Sequence, residues 1–318
     1  MIRTLKLLTN VENYYSIKQS NETFRLFFAR FVQEDKMSFV TTQEMMALAD
    51  KGGYAVGAFN VENMEMVMAV VKAAEEMNAP AILQTTPSTV KYAGLPLYVA
   101  NVKAAAKAAK VPIALHLDHG SSFELAMQAL RCGYTSVMID GSKESFEDNI
   151  AVSKRVADAC IPNGVPVEAE LGKVGGKEDD LECNDPGYTD PKDAAEFVEK
   201  TGITSLAVAI GTAHGFYQGE PKLDFDRLSE IRKVVDIPLV LHGASGVPDA
   251  SVMEAVKRGI SKVNFATELR VAYSDGLKAY LKENPDAFDP KKYNAVAMEY
   301  VTKLVKEKIT ICGSQNKA

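Results

Sequence analysis

Each of the four histidines in this 318-residue chain closes or follows an apolar, strand-like run. His116 and His119 end Ile113-Ala-Leu-His-Leu-Asp-His119, His214 follows Leu206-Ala-Val-Ala-Ile-Gly-Thr-Ala213, and His242 follows Pro238-Leu-Val-Leu241. Imidazole is the commonest protein metal ligand and the side chain most easily poised for proton transfer near neutral pH. His119, His214 and His242 could hold a metal with one coordination position open, the catalytic rather than the structural arrangement. For His116, an orienting or simply hydrogen-bonded role weighs as much as ligation.

The acidic candidates also stand at strand ends. Asp118 precedes His119, Asp140 closes Ser136-Val-Met-Ile-Asp140, and Glu168 and Glu170 sit two apart in Val167-Glu-Ala-Glu-Leu171. Period-2 alternation puts His116 and Asp118 on one face, and Glu168 and Glu170 likewise share a face, turned toward the interior. An unpaired buried charge is costly, so this many polar strand ends on one rim point to a site. Glu170 with Asp140 could hold a second metal position or orient the histidines. Gly211-Thr-Ala-His-Gly215, His242-Gly-Ala-Ser-Gly246 and Asn264-Phe-Ala-Thr267 supply small residues where backbone amides can approach a phosphate.

Eight short β-branched or apolar runs carry these residues, at 54–61, 81–86, 112–119, 136–141, 166–172, 205–212, 237–243 and 260–266. Stretches with helical spacing of apolar residues, such as 62–78 and 93–110, separate them. The runs are almost continuously apolar, as expected of strands buried on both faces. Eight such units over roughly 250 residues predict an α/β fold, a TIM (β/α)8 barrel, whose chemistry gathers at the C-terminal strand ends. A doubly wound open sheet fits less well, because no Gly-x-Gly-x-x-Gly follows the first strand. A helix near 293–309 forms a C-terminal extension to the barrel. Two polar segments, 172–190 and 213–223, read as loops on the catalytic face. Gly175-Gly176 gives the first of them the freedom of a mobile flap.

Hydrophobic residues make up 47% of the chain and charged residues 25%, the composition of an ordinary globular enzyme. The net charge of −6 argues against a nucleic-acid partner. No apolar run approaches the ~20 residues of a membrane helix. Cys132, Cys160, Cys183 and Cys312 are scattered, without a Cys-x-x-Cys pair, as in a reduced cytoplasmic protein. Residues 1–36 lack the regular pattern that begins at Met37. They read as a dispensable N-terminal extension or an early start codon, with residues 37–318 forming the barrel domain.

From Met37 onward the sequence resembles the zinc-dependent class II ketose-bisphosphate aldolases, which include fructose- and tagatose-1,6-bisphosphate aldolases. The resemblance rests on His116-Leu-Asp-His119, Met138-Ile-Asp140, Glu168-Ala-Glu-Leu-Gly172, Gly175-Gly-Lys-Glu-Asp179, Ala213-His-Gly215, His242-Gly-Ala-Ser-Gly246 and Cys312-Gly-Ser-Gln-Asn-Lys317. It implies Zn2+ on His119, His214 and His242, with Asp140 and Glu170 near an alternative metal position. It implies Asp118 as the acid/base at the C4 hydroxyl and Glu178, on the flap, as the group exchanging the proton of the carbon nucleophile. Gly215, Gly243, Ser245 and Thr267 would hold one phosphate, beside a monovalent cation (Na+ or K+). Asn60, Asn264 and Ala266 would line the substrate, and Arg270 would reach the distal phosphate. Homodimers or homotetramers are usual for such enzymes.

The resemblance agrees with the chemistry of the residues. Cleaving the C3–C4 bond leaves negative charge that a Lewis-acidic metal can stabilise. A lysine Schiff base is the other solution, and the third to seventh strands contain no lysine. Ala266 and Gly243-Ala244 look like the tagatose branch, whereas Arg270 and Gly120-Ser-Ser-Phe-Glu124 look like fructose enzymes, so the C4 epimer stays open. Two other readings are a metal-dependent barrel hydrolase, which has no need of the phosphate-cradling loops, and a non-catalytic partner subunit of an aldolase, which would lack some of the ligands.

Overall fold

Within each strand run, alternate residues differ in size and polarity, and that alternation builds the molecule. The computed structural model describes residues 38–178, 181–183, 187–217 and 219–318, with Glu178 and 181–183 described by their backbone alone. Helix α1 (Thr42–Gly52) precedes the barrel strands β1 (Val56–Asn60), β2 (Ala81–Thr85), β3 (Ile113–Gly120), β4 (Ser136–Ile139), β5 (Val167–Leu171), β8 (Ser205–Val208), β10 (Leu239–Leu241) and β11 (Ile260–Phe265). They pair in parallel and close in the order β1-β11-β10-β8-β5-β4-β3-β2. This is the (β/α)8 barrel the strand count predicts, and closure excludes the open doubly wound sheet. The proposed extension at 1–36 lies outside the described residues.

Odd-numbered residues such as Leu83, Leu115, Leu117, Val137, Ile139 and Val263 face outward into the large core shared with the surrounding helices, joined by the even-numbered Leu206 of β8, where the parity is reversed. Even-numbered residues face the barrel axis, except on β8, where the odd-numbered Ala207 does. Val56, Ala58, Ile82 and Ala114 pack there with Met45 and Ala49 of α1, and Ala207 and Val240 pack with Met46. Helix α1 thereby plugs the N-terminal end with apolar side chains. Further along the same parity the interior turns polar, through His116, Ser136, Glu168 and Lys262, and then Asn60, Gln84, Asp118, Glu170 and Asn264, all buried. A filled barrel of this kind is a layered core rather than a pore.

The outer layer comprises α2 (Met64–Glu76), α3 (Pro87–Ala93), α4 (Leu95–Ala108), α5 (Phe123–Cys132), α6 (Phe146–Cys160), α7 (Pro191–Thr201), α8 (Phe225–Val234), α9 (Asp249–Lys257) and α10 (Thr267–Glu283). The C-terminal α11 (Pro290–Cys312) packs on α10 and α2, and is longer than the predicted 293–309 because Asp289 caps its start, ahead of Pro290. Among the described residues, no helix is long and apolar enough to cross a membrane.

Two differences from the sequence reading matter for the site. The run expected as a strand over 205–212 leaves the ladder after Val208, where the Thr189 hydroxyl accepts the Ala209 amide at 2.8 Å. The polar segment 172–190 is not simply a loop. It contains the antiparallel hairpin β6 (Gly175–Glu178) and β7 (Leu181–Cys183), and β6 also pairs in parallel with β9 (Ala213–His214). Main-chain pairing, rather than an apolar pattern, forms this small sheet, so hydrophobic periodicity gives no sign of it. Gly176 at φ +87° allows it, since a Cβ there would lie 2.2 Å from the carbonyl oxygen of His214.

Candidate active site

His119 and Asp118 are adjacent in sequence, so an ordinary strand would send them to opposite faces. The β3–β4 register shifts between Leu117 and Gly120, and His119 adopts φ +49°, a conformation uncommon for non-glycine residues. That irregularity lets both side chains serve the C-terminal mouth. His214 arrives on β9, and His242 follows β10 directly. Ligand atoms of His119, His214 and His242 all lie within 4.8 Å of one another. His116 does not join them. It lies inside β3, with Nδ1 2.8 Å from Ser136 Oγ.

The donor set fits a metal ion. Asp140 Oδ2 lies 2.8 Å from His119 Nδ1, and Glu168 Oε1 lies 2.8 Å from His242 Nε2. Each carboxylate accepts a hydrogen bond from the N–H of the outer imidazole nitrogen, which leaves the inner nitrogen of each ring to ligate. Those inner atoms, His119 Nε2 and His242 Nδ1, converge to 2.9 Å. Two lone pairs that close need a proton or a cation between them. Asp140 is itself fixed by the backbone N–H and hydroxyl of Ser142, at 3.0 and 2.7 Å. Glu170 Oε2 sits 3.5 Å from His242 Nδ1, beside the same cluster.

The electrostatics follow from burial and crowding. Burial opposes a charge on His119, but Asp118, Asp140 and Glu170 outweigh it and raise its proton affinity well above the ordinary value. His242 and His116 go the other way, mainly through burial, with His119 and Lys262 respectively as the next contributors. Burial and the nearby Asp140 push the Glu170 carboxyl up to about 8. Burial also disfavours the charge on Asp118, but His119, His242, Lys262 and the Asn60 hydrogen bond hold its carboxyl below the ordinary value.

Asp118 sits in a cage of amides. Its Oδ2 accepts from Asn60 Nδ2 at 3.0 Å and Gln84 Nε2 at 3.1 Å, and its Oδ1 accepts from Asn264 Nδ2 at 3.1 Å. Oδ1 therefore keeps more free acceptor capacity and lies 4.0 Å from His119 Nε2. Alongside, a small pocket is lined by His214, Gly215, Gly243, Ser245, Asn264, Ala266 and Thr267. Ser245 Oγ accepts the Ala266 amide at 3.2 Å, and α10 starts at Thr267, so a helix N-terminus opens beside this pocket. Tyr217 staples the two loops, accepting from Ala213 N and donating to the Gly243 carbonyl, both at 2.7 Å.

Of the residues singled out in the sequence, Asn60, Asp118, His119, Asp140, Glu170, His214, Gly215, His242, Gly243, Ser245, Asn264, Ala266 and Thr267 come together at this mouth. Arg270 stands apart from this cluster, at the far end of the mouth, with its Nε 2.7 Å from Glu62 Oε1. The side chain of Glu178 lies outside the described residues, though its backbone is on β6, next to the strand that carries His214. The sequence reading missed Gln84, Tyr217 and Lys262. Lys262 is a lysine inside the barrel after all, on the eighth strand, fully buried and donating to both oxygens of Glu168. For Gln84 and Lys262 the available signal was parity, since each is a polar residue at an inward position of an apolar run.

A closed α/β barrel with a three-histidine cluster, a caged carboxylate and an amide-lined pocket at its catalytic mouth defines an enzyme of the metal-dependent barrel type. The family model for class II fructose-bisphosphate aldolase matches residues 40–317, and the chain belongs to that family, a carbon–carbon lyase acting by aldol cleavage. It is similar to the YdjI aldolase of Escherichia coli K12, with 38% identity over 88% of this chain and 99% of that one and a TM-score of 0.78. It is also similar to a fructose-bisphosphate aldolase from Campylobacter jejuni, with 25% identity over 86% and 95% of the two chains and a TM-score of 0.74.

Proposed function

We propose that this protein cleaves a ketose 1,6-bisphosphate reversibly to dihydroxyacetone phosphate and glyceraldehyde 3-phosphate, with Zn2+ as its metal. The observation that carries this reading is the convergence of the three histidine ligand atoms beside the caged Asp118 and the amide-lined pocket. His119, His214 and His242 would hold the zinc, which would supply Lewis-acid withdrawal of charge from the C2 carbonyl. Gly215, Gly243, Ser245 and Thr267 hold the C1 phosphate, with Na+ or K+ beside it. Asn60 and Asn264 fix both the sugar chain and the carboxylate of Asp118. Asp118 takes the C4 hydroxyl proton at Oδ1 as the C3–C4 bond breaks, while Oδ2 stays tied to Asn60 and Gln84. Glu178 returns a proton to C3 from the flap, which also shields the site from water.

The C4 epimers are accepted with little preference, because Ala266 has no polar atom with which to select or reject a hydroxyl. A coupled assay of triose phosphate release from fructose and tagatose 1,6-bisphosphates tests both statements. Comparable cleavage of the two supports the reading. Release of inorganic phosphate without triose phosphate would instead favour a hydrolase.

A further inference from the structure

The two ends of the mouth are built differently. The amide-lined pocket offers neutral donors and a helix N-terminus, with no carboxylate among its lining residues. At the other end, above β11, β1 and β2, a cation and an anion face each other. Arg270 lies one turn into α10, and Glu62 lies two residues beyond Asn60. Their contact is 2.7 Å, and both side chains are about a third exposed, at 30% and 29%. Glu62 is not a loose partner. Its Oε2 accepts from the buried Thr89 hydroxyl at 2.8 Å, and its backbone carbonyl accepts from the buried Tyr98 hydroxyl at 2.9 Å. Anchors from α3 and α4 therefore hold the carboxylate against the guanidinium.

That placement bears on the substrate. The amides that cage Asp118 come from β1, β2 and β11, the arc where Glu62 and Arg270 stand. With the C1 phosphate in the amide-lined pocket and the C4 hydroxyl at Asp118, as proposed above, the carbons beyond C4 would run toward that arc. A terminal phosphate arriving there is a dianion approaching a fixed carboxylate, and the guanidinium it needs is already paired. A terminal hydroxyl meets no such repulsion and can hydrogen-bond to either partner. We infer that Glu62 is a specificity-determining residue: by holding Arg270 it lowers the advantage of a distal phosphate, so hydroxyl-ended ketose 1-phosphates are substrates alongside the bisphosphates. This inference rests on the aldolase reading above. The covalent step is unchanged: the C3–C4 bond breaks, the C4 hydroxyl proton passes to Asp118 and C3 gains a proton, giving dihydroxyacetone phosphate and an unphosphorylated hydroxyaldehyde.

The test compares kcat/KM for a ketose 1,6-bisphosphate and the matched ketose 1-phosphate in the zinc-loaded enzyme. Glu62→Gln keeps the size and the Thr89 contact but removes the charge. It should raise the bisphosphate-to-monophosphate ratio roughly tenfold, about one charge-assisted hydrogen bond at a partly screened site, chiefly through KM of the bisphosphate. Glu62→Asp, too short for the 2.7 Å contact, should raise it less, and serves if the first variant folds poorly. Arg270→Met should bring the ratio toward one, and in the Arg270→Met background Glu62→Gln should raise it by less than it does in the wild type, because only the direct repulsion is then left to relieve. A ratio that Glu62→Gln leaves unchanged or lowers overturns the inference while leaving the aldolase reading intact. Cleavage of neither substrate by zinc-loaded enzyme overturns the aldolase reading, and this inference with it.

Discussion

Lys262 on β11 reaches across the barrel interior to Glu168 on β5, its ammonium 2.9 Å from one carboxylate oxygen and 3.1 Å from the other. The oxygen at 3.1 Å also accepts from His242 Nε2. One buried ion pair thus fixes which nitrogen of His242 faces the other two histidines, and the candidate metal centre is oriented from beneath by a residue that touches none of the ligands' inner atoms.

Lys262→Met should therefore weaken zinc binding by ~10–100-fold, as loss of an outer-shell partner does. It should also destabilise the fold by ~3–5 kcal/mol, because it strands the carboxylate of Glu168 in the core. Adding Glu168→Gln removes that stranded charge and should restore part of the stability. Chelator competition and chemical denaturation measure the two effects separately. Wild-type zinc affinity in Lys262→Met would mean that His242 is oriented by something else.

Asp118→Asn should lower kcat by ~10²–10⁴-fold with zinc content intact, the usual weight of a general acid/base. Gln84→Leu, which removes one donor to Asp118 Oδ2, should cost ~10–100-fold, the worth of a hydrogen bond to a charged group. Rate together with metal content measured on the same samples checks this. Loss of zinc in Gln84→Leu would show that the amide cage serves the fold rather than the carboxylate.

Asp118→Ala and Glu178→Ala should fail at different steps. Loss of Asp118 should stop bond cleavage while exchange of the carbon-bound proton of dihydroxyacetone phosphate survives better. Loss of Glu178 should suppress that exchange most. If Glu178→Ala exchanges at the wild-type rate, the β6–β7 hairpin is only a lid, and Glu170 becomes the next base to test.

Glu170 gives the metal-free protein a particular pH response. Its folded pKa of about 8 lies above the ordinary value of 4.5, so between those values the folded state binds more protons than the unfolded one. Its contribution is fully present below the lower value and is lost as pH rises through the upper one, at no more than ~1.4 kcal/mol per pH unit. Metal-free protein should melt lower at pH 8 than at pH 5.5, and Glu170→Gln should flatten that slope. An unaltered slope in the variant would place the titration on another group.

Much of this was legible in the sequence, for a physical reason. Strands buried on both faces write themselves as apolar runs, and at the catalytic mouth the polar residues interrupt those runs at strand ends, as Asp118, Asp140 and Glu170 do. The hairpin at 175–183 was not legible, because main-chain pairing along glycine-rich backbone leaves no periodic trace. Lys262 and Gln84 lie in mid-strand rather than at the ends, so a search of strand ends passes over them. Parity along each run was the signal available, and the register, which pairs Gln84 with His116 and Lys262 with Val56, shows that they share the inward face with the catalytic groups. The Glu62–Arg270 pair joins residues more than two hundred apart in sequence, and only closure of the barrel between β1 and β11 brings them together.

The proposed dependence of aldol cleavage on a metal held by three histidines is open to direct test. Its most direct measurement is triose phosphate release from a ketose 1,6-bisphosphate, with metal content determined on the same protein before chelation, after chelation and after zinc is returned. Chelation should abolish cleavage and zinc should restore it in the wild type, and His119→Ala, His214→Ala and His242→Ala should each retain little zinc and regain little activity. Full cleavage by protein shown to be free of metal would contradict that dependence.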